Sequence, residues 1–250
     1  MDPLFDLSGR VACVTGASSG LGRAAATALA ARGARVVGVA RRADKLTEWV
    51  ENTPGQTAMA VGDVADRDAL SDLVARVSYP FGAPDILINA AGINTRQAAD
   101  DVTAEGWDAT LALNLSAPFF LAQAFVPAMK ARKWGRIVNF ASLQSRRAFA
   151  GGIAYGATKG GVEQLTRAMA EAWSRDGIMC NAVAPGFVRT ELTGPVFANP
   201  DIANHHANAT CIGRNGEVDD MEGPMIFLCS PASNYVTGQV LFVDGGYTAK

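Results

Sequence analysis

Histidine and cysteine are scarce in this 250-residue chain, with two and four copies respectively. His205 and His206 are adjacent, without a partner at helical i, i+4 spacing and without nearby acids, so no metal site is expected. Cys13, Cys180, Cys211 and Cys229 are scattered with no C-x-x-C spacing, which argues against a zinc ribbon or a disulfide framework and fits a reducing cytoplasm. Excess charge is missing too. Twenty-two Lys and Arg against 24 Asp and Glu leave a net charge of −2, giving no electrostatic case for nucleic acid or an anionic membrane. No uninterrupted apolar run approaches the ~20 residues of a membrane span. The acidic start Met1-Asp2-Pro3-Leu4-Phe5-Asp6 lacks the basic region and apolar stretch of a secretory leader. Nor is there an internal repeat, a low-complexity tract or a linker, so residues 1–250 are expected to form one domain.

What is present is alternation. Short apolar, β-branched runs read as strands at Val11–Thr15, Arg35–Ala40, Thr57–Val61, Ile86–Asn89, Arg136–Ala141, Cys180–Ala184 and Val240–Val243. Segments of helical period lie between them at Leu21–Arg32, Ala43–Val50, Arg67–Val77, Gly106–Ala131, Ile153–Arg175 and Asp219–Leu228. Near-continuous apolar strands joined by helices predict an α/β Rossmann fold, a doubly wound, seven-stranded parallel sheet with helices on both faces. Phe187–Glu217, rich in Pro, Asn, Gly and Thr, breaks the pattern and reads as a mobile loop or lid over substrate.

Two stretches carry chemistry. Thr15-Gly16-Ala17-Ser18-Ser19-Gly20-Leu21-Gly22 follows the first strand and opens the first helix. Glycines there let the backbone approach a pyrophosphate, whose charge the helix N-terminus stabilises. The spacing is G-x-x-x-G-x-G rather than G-x-G-x-x-G. Tyr155 and Lys159 lie one helical turn apart, with Ser142 upstream. A phenol with an ordinary pKa of about 10 is protonated at neutral pH. An ammonium at ~4 Å, at an effective dielectric of ~20, attracts the phenolate by about 4 kcal/mol, enough to bring the phenol near working pH for acid/base catalysis. A plain helix-surface pair has the same spacing, so the other motifs must carry the reading.

With Asn89-Ala90-Ala91-Gly92, Ser142, Tyr155-x-x-x-Lys159 and Pro185-Gly186 all in order, the chain resembles the short-chain dehydrogenase/reductase family over its whole length. The resemblance implies that Gly16, Gly20 and Gly22 form the phosphate turn, lined by Ser18, Ser19 and Leu21. Asp63 would bond the adenine amino group with Val64 beside the ring. Asn89, Ala90 and Gly92 would flank the adenosine ribose and support the sheet, and Pro185, Gly186, Val188 and Thr190 would hold the nicotinamide. Tyr155 would exchange a proton with the reacting oxygen, and Ser142 would donate to that same oxygen. Lys159 would lower the tyrosine pKa and bind the nicotinamide ribose, and Asn114 would hold a water leading to Lys159. A mid-helix asparagine without a function is the alternative for Asn114, although asparagine is a poor helix-interior residue. Where an NAD enzyme places a carboxylate, the chain has Ala40 followed by Arg41 and Arg42. Guanidinium groups bond phosphate bidentately, so NADP(H) is preferred with NAD(H) as a second cofactor. An Arg pair solvating a helix start is the competing reading.

For substrate, Asn94, Arg96, Gln144, Arg147 and Phe187 are the candidates. Ser142-Leu143-Gln144-Ser145 and the C-terminal Gly238–Gly246 stretch look most like the gluconate 5-dehydrogenase, sugar-acid or polyol branch of the family. Arg96, Arg147, His205 and His206 suit an anionic or polyhydroxylated molecule, or else face solvent, as Arg146 is expected to do. A 3-ketoacyl thioester reductase shares the same catalytic set, and a non-catalytic nucleotide-sensing protein is the alternative of another class. The resemblance also implies a homo-oligomer, a tetramer, with Ala168, Met169, Ala172 and Trp173 as a helix seam or as core.

Overall fold

The computed structural model describes residues 2–250, and Met1 of the expected domain lies outside them. Seven strands pair in parallel: β1 (Val11–Thr15), β2 (Arg35–Ala40), β3 (Thr57–Val61), β4 (Ile86–Asn89), β5 (Gly135–Phe140), β6 (Ile178–Pro185) and β7 (Val240–Val243), in the order β3-β2-β1-β4-β5-β6-β7. β1, β4 and β5 are buried along their whole length. That is why they read as near-continuous apolar runs rather than alternating ones, with Arg136, Asn139 and Asn89 as the buried exceptions. β5 begins and ends one residue before its expected bounds, and β6 extends two residues earlier and one later.

Helices α1 (Gly20–Ala31), α2 (Ala43–Asn52), α3 (Leu70–Ser78), α6 (Ile153–Trp173) and α9 (Glu222–Cys229) lie close to the periodic segments. α3 starts later than Arg67 because the Asp66 carboxylate accepts from the amides of Asp68 and Ala69 and makes a turn there. One apolar cluster joins the β1–α1 side of the sheet to α9, and a second joins Leu87 and Ile137 to Leu121, Phe125 and Met129. Burying each such side chain contributes roughly 1.5–3 kcal/mol. Met169 belongs to that second cluster, whereas Ala168 and Ala172 are exposed.

Two segments depart from expectation. The single helix expected at Gly106–Ala131 is α4 (Ala104–Leu111) and α5 (Ala117–Arg132), joined by a π-helical turn at Ala112–Ser116. By length and composition this stretch would be apolar enough to cross a membrane. Here Leu121, Ala122, Phe125, Val126 and Met129 pack in the core. Phe187–Glu217 is not irregular throughout, since it holds α7 (Gly194–Phe197) and α8 (Pro200–Ala209). Asn199 caps α8 by accepting from the amides of Asp201 and Ile202, and Pro200 occupies its first turn. The residues that read as loop are therefore the helix's start signal.

Trp49 on α2 is fully buried behind β2 and donates its indole N–H to the Thr27 hydroxyl at 3.0 Å. Its ring fills the space over Gly38, where a Cβ would lie 2.7 Å from it.

Candidate active site

A cleft of about 600 Å³ opens at the carboxyl ends of the strands, where sheet order reverses between β1 and β4. At one end the chain leaves β1 through Gly16, whose φ of +71° is the left-handed conformation glycine tolerates. A side chain on Gly22 would sit 2.4 Å from the Gly16 carbonyl oxygen, so the turn closes onto the helix only with glycine there. Ser19 precedes α1 without capping it, and the first turn holds no acid. The helix amides are thus left for an anion. Ser18, Gly20 and Leu21 line the same wall.

Arg42, just before α2, reaches over this turn. Its Nε and Nη2 donate to the Ser18 hydroxyl at 3.2 and 3.0 Å, and Nη2 also donates to Ser19 at 2.6 Å. Its Nη1 meets the Glu191 carboxylate at 3.1 Å. Arg41 pairs more loosely with Asp63 at 3.6 Å, while the Asp63 carboxylate accepts from the Ala65 amide. Val64, Ala90 and Gly92 complete this part of the wall. A glycine cradle, an uncapped helix start and an arginine fixed by two hydroxyls fit a phosphorylated dinucleotide. Asn89 does not reach the cleft. It is buried and donates to Asn139 at 2.9 Å, tying β4 to β5.

At the other end Ser142 follows β5, and Tyr155 and Lys159 project from α6. The Ser142 hydroxyl accepts from the Gln144 amide at 3.1 Å, leaving its own hydrogen free to donate. Lys159 is buried and donates to the Phe140 carbonyl at 2.6 Å. Burial pushes the lysine down to about 8. Burial also raises the Tyr155 phenol, opposed first by hydrogen bonding with Ser142 and then by the positive charge of Arg96. The expected direct lowering by the ammonium is therefore corrected. The lysine nitrogen sits 5.4 Å from the centre of the phenol ring and is bonded elsewhere. Asn114 stands on the π turn, its amide engaged with the main chain of Ile93 and with Thr158.

Asn94, Arg96, Gln144 and Phe187 line the space beside Tyr155, as do Pro185, Gly186, Val188 and Thr190. Arg96 holds a φ of +53°, an uncommon conformation for a non-glycine residue, and donates to the Leu192 carbonyl at 2.8 Å. Arg147 lies outside the cleft and donates to the Lys250 carbonyl. Arg146 is exposed, as expected, and pairs with Glu163 at 2.8 Å. His206, by contrast, is half-buried. It stacks on Phe187 at 3.6 Å between ring centres, with Phe149 and Tyr247 at its edges. Phe149 and Glu191 also line the cleft and were not legible in the sequence. Phe149 lies in a stretch without periodicity, and the only signal for Glu191 is a charge directly after Thr190.

The family profile described as Enoyl-(Acyl carrier protein) reductase matches residues 16–248. Over 248 residues, covering 98% of this chain and 97% of the relative, the sequence is 42% identical to gluconate 5-dehydrogenase of Gluconobacter oxydans. It is 36% identical over 251 residues to 2-dehydro-3-deoxy-D-gluconate 5-dehydrogenase of Dickeya dadantii, covering 98% of each. The crystal structure of a gluconate 5-dehydrogenase from Burkholderia cenocepacia in complex with NADP and tartrate superposes with a TM-score of 0.94 at 38% identity, covering 99% of this chain and 98% of that one.

Proposed function

Because the chain belongs to the short-chain dehydrogenase/reductase family, we propose that it is an NADP(H)-dependent oxidoreductase interconverting a ketone and a secondary alcohol in a small sugar acid or polyol. The observation that carries this reading is the convergence of Ser142, Tyr155 and Lys159 at one end of a single cleft whose other end holds the glycine turn and Arg42. A thioester reductase and a nucleotide sensor are not favoured. Gluconate 5-dehydrogenase, at 42% identity, and 2-dehydro-3-deoxy-D-gluconate 5-dehydrogenase match over nearly their full length, and a sensor has no need of the intact Ser, Tyr and Lys set.

A bound nicotinamide dinucleotide supplies the two-electron redox chemistry. Tyr155 gives a proton to the carbonyl oxygen in reduction and takes one from the hydroxyl in oxidation. Ser142, its acceptor side satisfied by the Gln144 amide, donates to that oxygen and fixes its position. Lys159, held by the Phe140 carbonyl, would bind the ribose hydroxyls on the nicotinamide side of the cofactor. Asn114 positions the Ile93 loop next to them. Arg42 with Ser18 and Ser19 takes the 2′-phosphate, and Gly16, Gly20, Leu21 and Gly22 take the pyrophosphate. Asp63 with Val64 receives the adenine, with Arg41 alongside, while Ala90 and Gly92 flank the ribose. Pro185, Gly186, Val188 and Thr190 bracket the nicotinamide. The substrate carboxylate meets Arg96, and its hydroxyls meet Asn94 and Gln144, with Phe187 and the 187–217 segment as cover.

The whole chain acts as one dinucleotide-binding domain, working in the cytoplasm as a homotetramer. The open edge of β7, with Leu241 exposed, supports the assembly. Light scattering on the eluted protein tests it, and a monomer would refute it. The functional test is oxidation of NADPH with 5-keto sugar acids against acetoacetyl thioesters. Turnover of the sugar acids is expected, and turnover of thioesters alone would overturn the substrate class.

A further inference from the structure

Every nitrogen of the Arg42 guanidinium already has a partner. Its Nε and Nη2 are held by the hydroxyls of Ser18 and Ser19, and its Nη1 by the carboxylate of Glu191, which comes from the segment covering the cleft on the far side. The serines are neutral and rotate freely to donate to an incoming oxyanion. Glu191 can only accept, so it cannot share the guanidinium with a phosphate without setting two negative charges against one cation. A ribose 2′-hydroxyl raises no such conflict, because it donates to a carboxylate. The next carboxylate along the wall, Asp63, is already engaged by Arg41 and the Ala65 amide.

We propose that Glu191 sets how strongly this site prefers a 2′-phosphorylated dinucleotide: its carboxylate occupies Arg42 in the free protein, must yield to the 2′-phosphate, and favours the unphosphorylated ribose. This rests on the NADP(H) reading of the cleft and adds to it a second residue, outside the β2 arginine pair, that works against the first. The exchange also ties phosphate recognition to the cover. Glu191 follows Thr190, whose Cβ lies 3.4 Å from where a Gly20 side chain would begin. Release of Arg42 therefore frees the cover at the mouth of the phosphate turn.

The test uses ligands that carry no nicotinamide, so binding is read without turnover. Adenosine 2′,5′-bisphosphate and 5′-AMP are titrated by calorimetry, at one fixed salt concentration, into the full chain as wild type, E191Q, R42A and the double variant. E191Q should tighten the bisphosphate about three- to tenfold, the range set by an exposed charge pair plus the repulsion removed. AMP binding should stay the same or weaken slightly. In the R42A background the gain should shrink to less than about twofold, because the two residues act through one contact. Equal changes for both ligands, or no change, overturn the proposal. A wild-type preference for the bisphosphate that E191Q leaves untouched sinks the role of Glu191 and spares the cofactor reading. Indifference to the 2′-phosphate in wild type and E191Q alike removes both. A preference that emerges only in E191Q supports the role of Glu191.

Discussion

Asn114 grips the main chain of Ile93 from both sides. The Ile93 amide donates to the asparagine Oδ1 at 2.9 Å, and the asparagine Nδ2 donates to the Ile93 carbonyl at 2.8 Å and to Thr158 at 3.3 Å. This clamp joins the π turn to the segment after β4 and to the helix that carries Tyr155 and Lys159. It gives a mid-helix asparagine a reason to exist: the wider turn re-aims a side chain that an α-helical register would place differently.

Asn114→Ala leaves a main-chain donor and acceptor of Ile93 without partners. A loss of about 2–3 kcal/mol is expected, a fall of roughly 4–12 °C in melting temperature for a chain this size. Turnover should fall as well, because the Ile93 segment lines the reacting end. A melt indistinguishable from wild type would mean that the clamp contributes nothing.

Tyr155→Phe removes the proton and little else. Turnover in both directions should drop by about 10²–10⁴ while calorimetric binding of NADPH stays within about twofold. Retained activity would transfer the acid/base role to another group.

Lys159 yields a pH signature with a definite sign. Its folded value of about 8 lies below the ordinary lysine value, so the folded protein binds fewer protons than the unfolded chain between about pH 8 and 10.5. The penalty for burying the charge is complete below pH 8 and is relieved as pH rises through that window. Measured against Lys159→Met, wild type should therefore gain stability from pH 8 to 10.5, by about 3 kcal/mol at most. Cys13, Cys180 and Cys229, pushed up to about 12 by burial, pull the other way, but equally in both proteins. A difference that stays flat across the window would show the lysine to be solvated.

Gly22→Ala places a methyl group against the Gly16 carbonyl. The turn must open, and NADPH affinity should weaken at least about tenfold with a smaller loss of thermal stability, read by fluorescence titration and melting. Unchanged affinity would mean that the turn does not touch the pyrophosphate.

Much of this was legible in the sequence for physical reasons. β1 to β4 and β7 carry their bounds in unbroken apolar or β-branched runs, and the chemistry-bearing side chains sit at strand ends or one helical turn apart. The π turn was not legible, because one extra residue inside an apolar helix leaves no mark on composition. α8 was missed because Asn199 and Pro200 serve as turn formers and as helix starters alike. The Tyr155–Lys159 spacing located both residues but not the competitor, the Phe140 carbonyl, which takes the ammonium. Arg42 was found from charge. Its partner Glu191 lies 149 positions away, beyond any local pattern.

The indole of Trp49, wedged against Gly38 and hydrogen-bonded to Thr27, nails α2 to the back of β2 about two turns beyond Arg42. The peptide carrying that arginine has no slack to lose when a ligand arrives, so recognition there spends almost nothing on ordering the backbone. The adenosine end of the cleft is thereby the more firmly anchored of its two halves.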